Sequence, residues 1–411
     1  MNPALLPRPS SVARRTEQYQ GRITLLLFCL IALALSCSLP QGGPATPPLI
    51  LLASPTAVQP SATGLSPSVP TLTELPPAAP TATPLPTEIS EPGIGHPGQI
   101  AFWSNRDGPW GIYLIDIDGS NLTSLVREAT YNFLPPSWSP DGTRLAYIST
   151  FASGSNLMVL DLAAGSAAQL TQGLRVLDSP AWSPDGSRLA FAAETQSDGG
   201  EIFTIHADGS GLVDLSNGPD TTDWRPAWSP DGSRIVYQTF AGVEWDLRLI
   251  EADGSDPVNL TDGVAVWATD PSWSPDGTRI AFHNGSGEQG EIFLISPEGT
   301  GLTNVSNHPA DDSVGVWSPG ATALGDLLLF YSDRTGNDDL YTVRPDGSGL
   351  QALITRLEMD WAPAWSPDGL QIAYTTMLID GADIFLIDAG GQNRVALVQF
   401  PGNDTYPAWR P

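Results

Sequence analysis

Seven times between Trp138 and the C-terminus the chain repeats a Pro-Ala-Trp-Ser-Pro-Asp-Gly type phrase, at Trp138, Trp182, Trp228, Trp273, Trp317, Trp365 and, cut short, Trp409. The intervals between these tryptophans are 44, 46, 45, 44, 48 and 44 residues. A period of that length is too long for a leucine-rich or helical-hairpin repeat and suits four short strands with their turns, one blade of a β-propeller. Residues 96–411 divide into seven such units with nothing over, so no second folded domain fits.

One repeat shows why its residues recur. From Pro180 to Phe191 a short strand ending at Trp182 meets Ser183-Pro184-Asp185-Gly186, and a second strand follows. Proline presets φ at the first central position of a turn, Asp tolerates the second, and Gly supplies a left-handed residue, so the phrase predicts a hairpin. Third strands are expected at 112–115, 157–160, 202–205, 247–250, 292–295, 340–343 and 384–387, one per blade. The domain opens on Ile100-Ala101-Phe102, a second strand with no first strand before it, and ends on Pro407-Ala408-Trp409, a first strand with no second after it. Pairing the two completes the first blade and removes an open sheet edge. The expected fold is an all-β, seven-bladed β-propeller whose C-terminal strand closes the first blade.

The N-terminal part reads differently. Arg8, Arg14, Arg15 and Arg22 precede an apolar run over 23–35, the order of an export signal, so residues 1–39 are read as a signal peptide or membrane anchor. Ala34-Leu35-Ser36-Cys37 resembles the lipobox of bacterial lipoproteins, in which Cys37 would be acylated, with Leu35 where that pattern prefers a small residue. An uncleaved anchor helix and full secretion stay open beside lipidation. Residues 40–98 are rich in Pro, Thr, Ser and Ala and too poor in apolar residues to bury a core, so they are read as a disordered linker that tethers a propeller over 99–411. Both cysteines, Cys29 and Cys37, precede the propeller, which therefore has no disulfide to form in an oxidising compartment. The expected location is the cell envelope, with the propeller outside the cytoplasm.

The Trp-Ser-Pro-Asp-Gly phrase followed by an Ile-Ala-Phe type strand resembles the WD40-like, TolB-type propeller repeat (PD40) of bacterial envelope proteins, over residues 100–411. Departures are local: Trp317-Ser318-Pro319-Gly320 lacks the Asp, and Ala164-Gly165 and Gly390-Gly391 replace Asp-Gly in two outer hairpins. The family's namesake carries six blades and an additional α/β domain that the linker cannot supply, so its role beside the peptidoglycan-associated lipoprotein is not carried over.

Charge narrows the partners. The formal charge is -27, with 45 carboxylates against 18 cationic residues, all of them Arg. Phosphate binding needs a basic surface, so nucleic acid is excluded as a partner, and an anionic lipid surface is disfavoured apart from the N-terminal anchor. Catalysis finds little support. Similar propellers cap prolyl-oligopeptidase type hydrolases, but no Gly-x-Ser-x-Gly elbow occurs and no residues remain for a hydrolase domain. Related propellers include lyases that hold a metal with clustered His, whereas His96, His206, His283 and His308 are scattered. Asp116-Ile117-Asp118-Gly119 has its Gly two positions too early for an EF-hand loop and reads as a turn.

In a four-strand meander the first-to-second and third-to-fourth turns share one face, and the second-to-third loops and blade crossings share the other. The seven repeat tryptophans are expected to pack between blades. Of the others, Trp224, Trp267 and Trp361 fall in crossings and Trp110 and Trp245 in second-to-third loops, so all five map to the loop face. Asp178, Asp223, Asp270, Asp312, Asp360 and Asp404 lie three to five residues before a repeat Trp, and Tyr406 follows Asp404. Two readings stand for these Asp: satisfying loop amides, or lining a channel mouth that takes a basic peptide, a cation or a sugar. The expected function is a non-catalytic, monomeric, envelope-tethered propeller, without metal or cofactor, that binds a protein or peptide through this face. Carbohydrate binding and a metal-dependent lyase or hydrolase are the alternatives.

Overall fold

A computed structural model describes residues 98–411 apart from 128–133, 152–153, 195–198, 219–220, 264–266, 286–288, 321–324, Val243 and Pro401. The expected signal or anchor with Cys37, and nearly all of the expected linker, lie outside the described residues. The described chain is all strand, arranged as seven antiparallel sheets that follow one another as blades. Six are four-stranded meanders; in the third, the innermost strand is broken into Arg175–Val176 and Ala181–Trp182 around the crossing residue Asp178.

The first blade takes its innermost strand, Asp404–Trp409, from the C-terminus. That strand runs antiparallel to Gln99–Ser104 with Trp409 opposite Ile100 and Ala408 opposite Ala101, the closure that the unmatched ends predict.

Turn chemistry accounts for the repeated phrase. In the second blade Gly142 N–H donates to the Ser139 carbonyl, the Ser139 and Thr143 hydroxyls donate to the Asp141 carboxylate, and Gly142 is left-handed at φ 66°. The arrangement recurs at Asp185 and Asp231, whose serine donors hold both carboxyls down at about 2. Where Gly320 replaces the Asp, Ser318 still spans the longer turn by pairing with Leu327, as Ser139 does with Arg144.

Every repeat Trp is buried and donates its indole N–H to the carbonyl one residue before the repeat Trp of the preceding blade. The series runs from Trp182 to Ser137, Trp228 to Ala181, Trp273 to Ala227, Trp317 to Ser272, Trp365 to Val316, Trp409 to Ala364 and, closing the circle, Trp138 to Ala408, at 3.0–3.3 Å. The hydrophobic core is correspondingly split into clusters between neighbouring blades. Leu145 and Tyr147 pack on Ala101 and Trp103 between blades one and two, and Ile384 and Leu386 pack on Ile100 and Trp409 between blades seven and one. Burial of apolar side chains at every interface makes each blade depend on both neighbours.

Candidate functional site

The crossings and second-to-third loops gather on one face, and the innermost strands start there. Four of the six sequence-marked aspartates, Asp223, Asp312, Asp360 and Asp404, lie inside the innermost strands and are almost wholly buried. Each stands five residues before its repeat Trp and is met by the end of the second strand. In blades four and seven a threonine hydroxyl does this, Thr239 donating to Asp223 and Thr376 to Asp360. In blades one and six a Ser-x-Arg sequence does it: Arg106 and Arg334 each bond the preceding serine hydroxyl and reach Asp404 and Asp312 at 2.8 Å.

The other two aspartates are joined by a residue that sequence reasoning missed. Arg225 Nη1 lies 3.0 Å from Asp270 Oδ1, its Nε 3.6 Å from Asp178 Oδ2, and its backbone N–H donates to Asp178 at 3.0 Å. Arg225 and Asp270 occupy the same position, three residues before the repeat Trp, as do Val314, Ala362 and Tyr406. All five are left-handed, at φ 51–57°, and each sits in a break of register between the first and second strands. A non-glycine residue held in that region is strained, and the bulge re-aims its side chain. The bulge N–H is satisfied by the preceding blade: Gln238 accepts from Asp270 and Thr375 from Tyr406. Desolvation opposes the charge on Arg225, but Asp270 and Asp178 outweigh it and hold its pKa above the ordinary value; the guanidinium also lies within electrostatic reach of Tyr331 and Tyr406. Its side chain nevertheless keeps 53% of its surface, as a group facing a channel does. The bulge position is thus a ring in which the identity varies from blade to blade, and Arg225, Asp270, Tyr406 and Asp178 supply its polar groups.

Beside this ring an aromatic cluster rises from blade four. Trp224 and Trp245 have ring centroids 5.8 Å apart, and Phe240, which sequence reasoning also missed, lies 5.2 Å from Trp245. Trp267 joins through a backbone bridge to Trp245. Trp224 is 38% exposed. Trp110 is half-buried against the core of blades one and two, and Trp361 is half-buried in blade seven, so neither joins the cluster. Signals for the missed residues were present: Arg225 follows Trp224 directly and shares the offset of Asp270, and Phe240 ends the strand opposite Trp245.

The histidines are dispersed. His206 ends a third strand, His283 Nδ1 pairs with Thr269 Oγ1, and His308 lies in a crossing; among the described residues no three His, Cys, Asp or Glu converge on a metal position. A separate cavity of about 450 Å³ opens among the repeat phrases of four blades, between Trp273, Trp317, Trp365 and Trp409 and prolines 275, 319 and 367.

Burial shifts the carboxyls of Asp178, Asp223, Asp360, Asp383 and Asp404 upward, desolvation being the first cause in each. Desolvation raises Asp360 to about 6, and desolvation followed by Asp404 and Asp380 raises Asp383 to about 6. A folded pKa above the unfolded one favours folding of the protonated form, so this contribution is full below pH 4 and is lost as pH rises through 6. The propeller is expected to melt higher at pH 5 than at pH 8. Asp360→Asn should remove its share, about 3 kcal/mol, and make the profile less steep. An unchanged pH slope in that variant, followed by circular dichroism, would contradict the assignment.

The family described as the TolB beta propeller domain, PD40, matches residues 98–261 and 226–359. A TolB homologue of Chlorobium luteolum is 37% identical over 123 residues, 30% of this chain and 28% of that protein. The Tol-Pal system protein TolB of Xylella fastidiosa is 42% identical over 57 residues, 14% of this chain and 13% of that protein. The chain therefore matches less than a third of the length of these curated relatives. Among solved structures, TolB from Acinetobacter baumannii aligns with TM-score 0.50 at 20% identity over 78% of this chain and 69% of that one. An oligogalacturonate lyase in complex with manganese aligns at 0.57 and 18%, over 70% and 85%. At such identities these two structures speak to the fold alone.

Proposed function

This chain belongs to the PD40 family of TolB β-propeller domains, and from that premise we propose that it is an exported binding propeller, tethered to the cell envelope through residues 1–98, that takes a protein or peptide partner at its loop face. The observation that carries this reading is the cluster of tilted rings of Trp224, Trp245 and Phe240, with Trp224 exposed at its edge, beside the Arg225–Asp178–Asp270 group. Aromatic and guanidinium side chains at a partly desolvated mouth are the groups that dominate protein–protein contact energy, and an exposed indole such as that of Trp224 is costly without a partner. In this reading Trp267, Asp270, Asp178 and Tyr406 contact the partner. Asp223, Asp312, Asp360 and Asp404 support the face from within, and Trp110 and Trp361 border it. The relatives bear the name of a Tol-Pal system protein, which agrees with a protein partner in the envelope; the short matched length leaves that partner's identity to experiment.

Recovery from solubilised envelope extract, with residues 96–411 as bait beside a Trp224→Ala/Trp245→Ala variant of equal melting temperature, tests this. A protein retained by the first and lost by the second is expected; equal recovery would overturn it. The second reading, glycan binding, is favoured by the one indole face left open at Trp224, and would show as quenching of tryptophan fluorescence by soluble glycans and no protein retained.

A further inference from the structure

At its loop end blade seven differs from blade six. The second-to-third hairpin of blade six turns through Thr335, Gly336 and Asn337, polar or glycine. The hairpin joining Gln371–Leu378 to Gly381–Asp388 instead places Ile379 at its tip, fully exposed. The crossing into blade seven sets Leu357, 95% exposed, and Met359, 47% exposed, beside it, and the crossing into blade one adds Phe400 at 56%. Large apolar side chains left in water at four points of one face mark a contact surface.

These three segments are bound into one ledge. Met377 N–H of the hairpin donates to the Met359 carbonyl at 2.9 Å, and Ala382 N–H on its other strand donates to Asn403 Oδ1 at 3.1 Å. Gly381 runs so close to Gly402 that a Cβ there would stand 2.1 Å from the Gly402 carbonyl oxygen, which is why only glycine serves. Phe400 is held under the Arg106 guanidinium, 4.9 Å from its ring, and lines a cavity of about 390 Å³ with Arg106, Asp107, Tyr113, Leu122 and Ser124. The ridge therefore ends in a recess with room for an inserted side chain.

Charge selects the occupant. Glu358 lies between Leu357 and Met359 and Asp380 follows Ile379; Asp338, whose carbonyl accepts from Asp360 N–H, and Asp383, within electrostatic reach of Asp380, add to them. Of the nearby cations, Arg106 is already committed to Asp404, Arg127 to Asp107 and Arg394 to the Tyr374 and Thr376 hydroxyls, which leaves Arg356. A second copy of the chain, at -27, would bring the same acidic ridge against this one, and like charge repels. We propose that Leu357, Met359, Ile379 and Phe400 form a second docking surface, separate from the Trp224 cluster, that receives an extended basic segment of a partner protein in which apolar residues alternate with Lys or Arg.

Three labelled synthetic peptides, alternating Leu with Lys, Ser with Lys and Leu with Glu, are titrated by fluorescence anisotropy against the full-length protein. The Leu/Lys peptide is expected to bind most tightly and to weaken about tenfold on a Leu357→Ser/Ile379→Ser variant that melts as the native protein does. Glu358→Arg/Asp380→Arg, which leaves the ridge apolar, should lose the Leu/Lys peptide and gain the Leu/Glu one. Trp224→Ala/Trp245→Ala should bind the Leu/Lys peptide unchanged, so that this surface and the Trp224 site succeed or fail separately. Equal binding of the Leu/Lys peptide by the serine variant, or equal binding of all three peptides by the native protein, would overturn the proposal. So would a native dimer, or binding to phosphatidylcholine vesicles, that is lost in the serine variant.

Discussion

A chain ending at Asn403 is expected to lose its cooperative fold at physiological temperature. The missing strand, Asp404–Trp409, is the innermost of the first blade, and its removal exposes the edge of Gln99–Ser104 along the channel. Trp409 would leave the cluster it shares with Ile100, Ile384 and Leu386, and Trp138 would lose the carbonyl that its indole bonds. Arg410, which bridges Gly142 and Gln99, would go as well, and Arg106 would be left without Asp404. Burial of one large aromatic contributes about 3–5 kcal/mol, so these losses together approach the ~5–15 kcal/mol by which a domain is stable. Urea and thermal melts of the truncated protein should show a broad transition shifted down by more than about 15 °C, or none. An unchanged curve would mean that closure contributes nothing.

Arg334→Met should be the most damaging single substitution on the loop face. Asp312 has no exposed surface, and Arg334, itself 8% exposed, is the cation that meets both of its oxygens. Removing one partner of a buried pair strands the other charge, at a cost of about 3–5 kcal/mol. Arg334→Met with Asp312→Leu should recover most of that, because two apolar side chains replace two desolvated ions. A double-mutant cycle by urea unfolding measures the coupling. If the single variant costs less than about 1 kcal/mol, Asp312 is not the framework residue that its position indicates, and the aspartates five residues before each repeat Trp return as candidate ligands.

The number of blades, the hairpins, the strand that closes the ring and the packing role of the repeat tryptophans were legible in the residues, because each rests on local chemistry repeated at a fixed period. Ser-Pro-Asp-Gly makes its own turn, alternation fixes which side of a strand Trp182 or Trp409 occupies, and an unmatched first strand has one place to pair. The site was legible only in part. Asp223 and Asp270 look alike in the chain, two positions apart in offset, and period-two alternation would put them on the same face. A left-handed bulge at the second of those offsets breaks the alternation, so that Asp223 turns into the blade while Arg225 and Asp270 turn to the channel. Whether Arg225 meets Asp178 and Asp270 depends on side chains from different blades, 45 or so residues apart, that no local pattern relates. The same holds for Leu357, Ile379 and Phe400, unremarkable singly and adjacent only because two crossings flank one hairpin. The sequence by itself determined the scaffold, since a repeat carries its own geometry; the tertiary structure alone decided what faces the channel and the solvent, since that depends on where bulges redirect the chain and on which neighbours the closed ring brings together.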